Sequence, residues 1–82
     1  MDPQEIKRLV ETGIPGAQVR VSGNEGKYEA VVISPAFEKL TTVKRHQLIY
    51  GTVNDQIASG ALHALTIKAY TPEEWQRLGG RA

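Results

Sequence analysis

The sequence predicts an α/β domain of the α+β kind, ordered helix–strand–strand–helix–helix–strand–helix around a mixed three-stranded sheet in order 1-2-3. Three observations predict it. Ala17 to Ser22 alternates apolar and polar, and a turn with two glycines, Gly23-Asn24-Glu25-Gly26, joins it to the apolar Tyr28 to Ile33, which reads as an antiparallel hairpin. Two strong helix starts, Asp2-Pro3-Gln4-Glu5 and Thr71-Pro72-Glu73-Glu74, stand near the ends of the chain. The stretch between the second and third strands has room for two helices, and a crossover of that kind makes its strands parallel and its connection right-handed.

Each element has its own local reason. In the first helix Asp2 caps, Pro3 suits the first turn, Glu5 has capping-box spacing, and Ile6, Leu9 and Val10 form one stripe that Gly13 and Pro15-Gly16 end. The first strand turns Ala17, Val19 and Val21 to one side. The second, apolar on both parities through Ala30-Val31-Val32-Ile33, suits the central position. Ser34-Pro35 breaks it and starts a short turn through Phe37. A helix is expected from Leu40 to Tyr50, with Leu40, Val43, Gln47 and Leu48 inward and Lys44 and Arg45 outward. Gly51 interrupts, and Thr52 with Asp55 caps a third short helix that points Val53 and Ile57 inward. Leu62 to Tyr70 is the third strand, and Trp75 and Leu78 dock the last helix before Gly79-Gly80.

The 82 residues are enough for one core. A net charge of +1 demands neither nucleic acid nor an anionic membrane. The chain has no cysteine, which excludes a disulfide framework, a thiolate nucleophile and a cysteine metal ligand. No apolar run approaches the roughly 20 residues that span a bilayer. The charged segment Met1 to Val10 is no signal peptide, so the expected location is the cytoplasm.

Catalysis has no visible machinery. Ser22, Ser34 and Ser59 each sit at an element end without a neighbouring histidine, and Glu73-Glu74 is explained by the helix dipole. The expectation is therefore a binding protein and not an enzyme. The helix–helix–strand segment suggests the KH nucleic-acid module, whose GXXG loop clamps phosphates. Here that loop reads Gly51-Thr52-Val53-Asn54, without the second glycine. Lys44, Arg45 and His46 remain a candidate basic edge, with Lys39 and Lys68 as neighbours, against the plainer reading of a solvated helix face. His63, at the start of the third strand, is a candidate metal ligand against the plainer reading of a structural histidine.

Three ordered segments carry a family resemblance. Phe37-Glu38-Lys39-Leu40, Val43 to Tyr50 (Val-Lys-Arg-His-Gln-Leu-Ile-Tyr) and Gly60 to Trp75 (Gly-Ala-Leu-His-Ala-Leu-Thr-Ile-Lys-Ala-Tyr-Thr-Pro-Glu-Glu-Trp) resemble BolA-like proteins, most of all the short bacterial branch called IbaG or YrbA. The resemblance runs over about residues 4 to 76. It implies a class II KH-like fold, with residues 1–78 as one BolA-like domain and 79–82 as a frayed tail. It also implies two roles. One is an adaptor that binds a monothiol glutaredoxin in iron–sulfur cluster handling, with His63 as a ligand of a [2Fe-2S] cluster shared with the glutaredoxin and glutathione. The other is DNA binding and transcriptional regulation in the stress response or cell morphology, through Lys44, Arg45 and His46.

In the family the second cluster ligand, histidine or cysteine, comes from the hairpin loop. This loop has neither; Asn24 and Glu25 offer only hard oxygen ligands, which suit iron–sulfur chemistry poorly. Such a cluster takes four ligands, mostly thiolates, so this chain holds none alone. The surface expected to meet the partner is Asn24, Lys27, Tyr28, His63 and Lys68. The expected assembly is a monomer, or a weak homodimer through a free strand edge.

Overall fold

The structure is a computed structural model and describes residues 1–80. The order is α1 (Pro3–Gly13), β1 (Gln18–Asn24), β2 (Lys27–Ile33), a 3-10 turn (Pro35–Phe37), α2 (Thr42–Thr52), α3 (Asn54–Ala58), β3 (Ala64–Tyr70) and α4 (Pro72–Arg77). β2 is central, antiparallel to β1 and parallel to β3, as the hairpin and the crossover predicted.

The hairpin is tighter than expected. Asn24 pairs with Lys27, so only Glu25 and Gly26 turn the chain, with φ of 51° and 79°. A two-residue turn with both centres left-handed matches the right-handed twist of the strands, which lets pairing run on through Gly23 and Asn24.

One face of the sheet forms the core. Val19, Tyr28, Ala30, Val32 and Ile67 pack with Ile6, Val10 and Ile14 at α1 and with Ile49 and Val53 at α2. Asp2 caps α1 by accepting from the Glu5 amide at 3.0 Å. Ser34, fully buried, donates to the Pro15 carbonyl at 2.6 Å and accepts from the Ala36 amide at 3.0 Å, which pins the end of β2 to the end of α1.

The crossover departs most from expectation. α2 begins after Thr41, whose hydroxyl accepts from the Lys44 amide at 3.2 Å, and it runs through Gly51. Its rotation also differs. Ile49 and Val53, four apart, point inward; Val43, Gln47 and Leu48 are exposed, and Arg45 turns in instead of out. The short apolar pattern allowed either rotation, and tertiary packing selected the one that seats Ile49. Thr52 donates to the Ile49 carbonyl at 2.6 Å and so does not cap α3, whose first turn has no side-chain cap; Ile57 is exposed.

At the other end the expected capping box forms. The Thr71 amide donates to Glu74 Oε1 at 2.8 Å, and the Glu74 amide donates to Thr71 Oγ1 at 3.2 Å. Trp75 docks α4 against Tyr70 with ring centroids 5.5 Å apart, whereas Leu78 is exposed. The amides of Gly79 and Gly80 donate back to the Gln76 and Trp75 carbonyls at 2.9 and 3.0 Å, a Schellman closure of the helix. These two glycines stop the helix; Arg81 and Ala82, where fraying is expected, lie outside the described residues.

Candidate functional site

His63 stands directly before β3, and the hairpin turn holds it there. Its amide donates to the Gly26 carbonyl at 2.8 Å, and the Ala64 amide donates to the same oxygen at 2.9 Å. The imidazole lies over Gly26, where an added Cβ would come within 2.3 Å of His63 Cδ2 and 3.1 Å of Cγ. Glycine is thus required at 26 twice over, by the left-handed turn and by the ring above it. Gly26 is buried and His63 is exposed. Among the described residues neither imidazole nitrogen has a hydrogen-bond partner in the chain. The ring is placed by packing, with its Cδ2–Nε2 edge against Gly26.

Of the residues expected around His63, Asn24 and Lys27 are brought to it. They pair across the base of the turn, and Lys27 is also in register with Ala64. Lys68 is five residues further along the chain, roughly 17 Å away at strand rise, and its ammonium lies 3.8 Å from Glu29. Tyr28 is a correction: it is only 6% exposed, belongs to the core, and donates its hydroxyl to the Met1 carbonyl. Strand alternation turns it away from the surface that Lys27 and Glu29 occupy.

The corner offers the His63 imidazole, with Asn24 and Glu25 in the adjoining hairpin turn. Among the described residues no three His, Cys, Asp or Glu side chains converge as a metal cage. The described residues of this corner do not fit a resident metal. The Ser34 and Ser59 hydroxyls donate to the Pro15 and Gln56 carbonyls.

The basic edge does not assemble as expected. Lys44 is exposed and His46 half-buried, but the Arg45 side chain is only 12% exposed. Its guanidinium donates to both Glu74 oxygens, at 2.6 and 3.2 Å, and to the Leu40 and Ala69 carbonyls at 3.1 and 3.3 Å. Arg45 therefore ties α2 to β3 and α4 and is not free for phosphate. The Arg45 guanidinium, with help from the Thr71 amide, holds the Glu74 carboxyl at about 2, down from 4.5. Sequence reading found Glu74 through its capping box. Nothing in the sequence pointed to its partner, because the pair is 29 positions apart.

The fold and the corner define a class: a small α+β domain with a mixed three-stranded sheet and an exposed histidine braced on a hairpin turn. The chain belongs to the BolA-like protein family, whose model matches residues 11–74. A protein of Escherichia coli (strain K12) named acid stress protein IbaG is 34% identical over 77 residues, covering 94% of this chain and 92% of that one. The solved structure of a BolA protein homologue from Coxiella burnetii is similar with a TM-score of 0.85 and 37% identity, covering 94% of this chain and 99% of that one. A Haemophilus influenzae protein named DNA-binding transcriptional regulator BolA is 37% identical over 54 residues, which are 66% of this chain and 52% of that one.

Proposed function

We propose that this protein is an adaptor that binds a monothiol glutaredoxin at the His63 corner and takes part in iron–sulfur cluster handling. His63 contributes one nitrogen ligand to a [2Fe-2S] cluster, and the glutaredoxin cysteine and glutathione contribute thiolates. The observation that carries this reading is the exposed His63 ring, held over Gly26 with neither nitrogen hydrogen-bonded among the described residues. The partner is a chemical requirement, because a chain with no cysteine offers no thiolate. The test is titration of isotopically labelled protein with a cluster-loaded monothiol glutaredoxin. Shifts concentrated at Asn24, Gly26, Lys27 and His63, with a visible circular dichroism change that H63A abolishes, support the reading. Binding that leaves His63 and the hairpin unshifted overturns it.

The similarity to a relative named as a DNA-binding regulator favours a second reading, a nucleic-acid role on the α2 side. Lys44 is its available cation there, since Arg45 is engaged internally. Phosphate neutralisation would show as a slope of log affinity on log salt of roughly −0.9 per contact on duplex DNA. A flat dependence removes this reading.

A further inference from the structure

The helices α1 and α2 cover one face of the sheet; the opposite face is largely open. α4 meets it at the end away from the hairpin, where Trp75 has Arg20 stacked 5.4 Å from its ring centroid. Towards the hairpin the face carries Arg20, Lys68 and Lys27 with the carboxylate of Glu29 among them, and the exposed Glu25 stands in the turn itself. Ser22 and Thr66 flank Glu29 on the neighbouring strands, and both are exposed. Glu29 partly neutralises Lys68 at 3.8 Å, leaving Arg20 and Lys27 in excess on a chain whose net charge is only +1. The face is therefore mainly polar and carries more cations than carboxylates. That surface runs without a break into the His63 corner, because Lys27 is in register with Ala64 and the Gly26 carbonyl holds both His63 and Ala64.

We infer that this open face is the second half of the docking surface, and that it receives a carboxylate-bearing protein surface which orients the partner over His63. The inference rests on the glutaredoxin reading above and adds to it the chemistry of the partner's contact. A nucleic acid fits the face less well. The rows beside His63 present no aromatic ring for a base to stack on. Charges at the rim of an interface act mainly on association rate and are screened by salt, so the face should steer the encounter while His63 governs the cluster contact.

The experiment measures association kinetics of a cluster-loaded monothiol glutaredoxin with the full chain and its K27E, E29Q and H63A variants, at low and high salt. Lys27 and Glu29 pack in no core, and a circular dichroism spectrum checks each fold. At low salt K27E slows association on the order of 10-fold. E29Q speeds association, the opposite sign, which a merely structural effect does not produce. Both converge on the wild type at high salt. H63A changes the cluster spectrum and keeps the salt dependence. If K27E and E29Q associate like the wild type at every salt while H63A is impaired, the face is unused and the His63 reading stands alone. If the wild type ignores the glutaredoxin, both readings fall. Binding of a single-stranded oligonucleotide that K27E abolishes and glutaredoxin does not compete would assign the face to nucleic acid and overturn the inference.

Discussion

Arg45 and Glu74, 29 positions apart, meet in a two-point clasp with N···O distances of 2.6 and 3.2 Å. The same carboxylate accepts from the Thr71 amide, so one side chain closes the α4 cap and fastens α4 to α2. Arg45 adds bonds to the Leu40 and Ala69 carbonyls, and its guanidinium lies 5.9 Å from the Phe37 ring centroid in the buried core. This clasp is structural, and it removes a cation from the surface where the sequence placed one.

Substituting Arg45→Met should destabilise the domain by about 2 kcal/mol, the scale of losing charge-assisted hydrogen bonds at a mostly buried donor. Arg45→Lys should recover only part of it, because an ammonium cannot match the two-point geometry. Urea unfolding of the three proteins checks both statements. Equal stability of R45M and wild type contradicts the role given to the clasp.

The clasp also sets an acid limit. Glu74 is held at about 2 against 4.5 in the unfolded chain, by Arg45 first and the Thr71 amide second. A depressed carboxyl contributes its stability in full above 4.5, and that contribution is lost as pH falls through about 2. The stability difference between wild type and E74Q should therefore be constant near neutrality and shrink between pH 4.5 and 2. A difference that stays constant down to pH 2 runs against the assignment.

At the hairpin, Gly26→Ala should both strain the turn and push the His63 ring aside. A left-handed non-glycine residue costs roughly 1–2 kcal/mol, and the added Cβ would meet Cδ2 at 2.3 Å. The expected result is a modest loss of stability with a clear loss of cluster-dependent glutaredoxin binding. Unchanged chemical shifts for the His63 ring in G26A contradict the packing argument.

Gly51→Ala should act in the opposite direction. Gly51 lies inside α2, and an added Cβ there meets nothing within 4 Å. Helix propensity then predicts a gain of about 0.5–1 kcal/mol. A phosphate clamp at this loop would need the bare backbone, so G51A also separates the two functional readings: glutaredoxin binding should persist, and any nucleic-acid binding that depends on Gly51 should fall.

Tyr28→Phe should leave glutaredoxin binding unchanged and cost about 1 kcal/mol of stability, since its hydroxyl reaches the Met1 carbonyl and its ring lies in the core. Equilibrium unfolding and a binding isotherm on the same sample decide it.

The sequence by itself determined the element order, the antiparallel hairpin, the parallel crossover and both terminal helix starts. These rest on contacts between near neighbours: Asp2 with the Glu5 amide, Thr71 with Glu74, and Val19 alternating with Arg20. It also singled out His63 and showed that its hairpin loop lacks a second soft ligand. Only the tertiary structure decided which way α2 faces. A short helix with scattered apolar residues has no unique stripe, so the choice fell to Ile49 and Val53 in the core and to the distant Glu74 that draws Arg45 inward. Tyr28 followed the same logic, its place in the core being set by strand alternation once the sheet formed. The brace beneath His63 is likewise a non-local fact: the Gly26 carbonyl and the bare Gly26 Cα meet a histidine 37 residues on only because β3 lies parallel to β2. Local chemistry wrote the elements; long-range packing chose which of their side chains face outward to act.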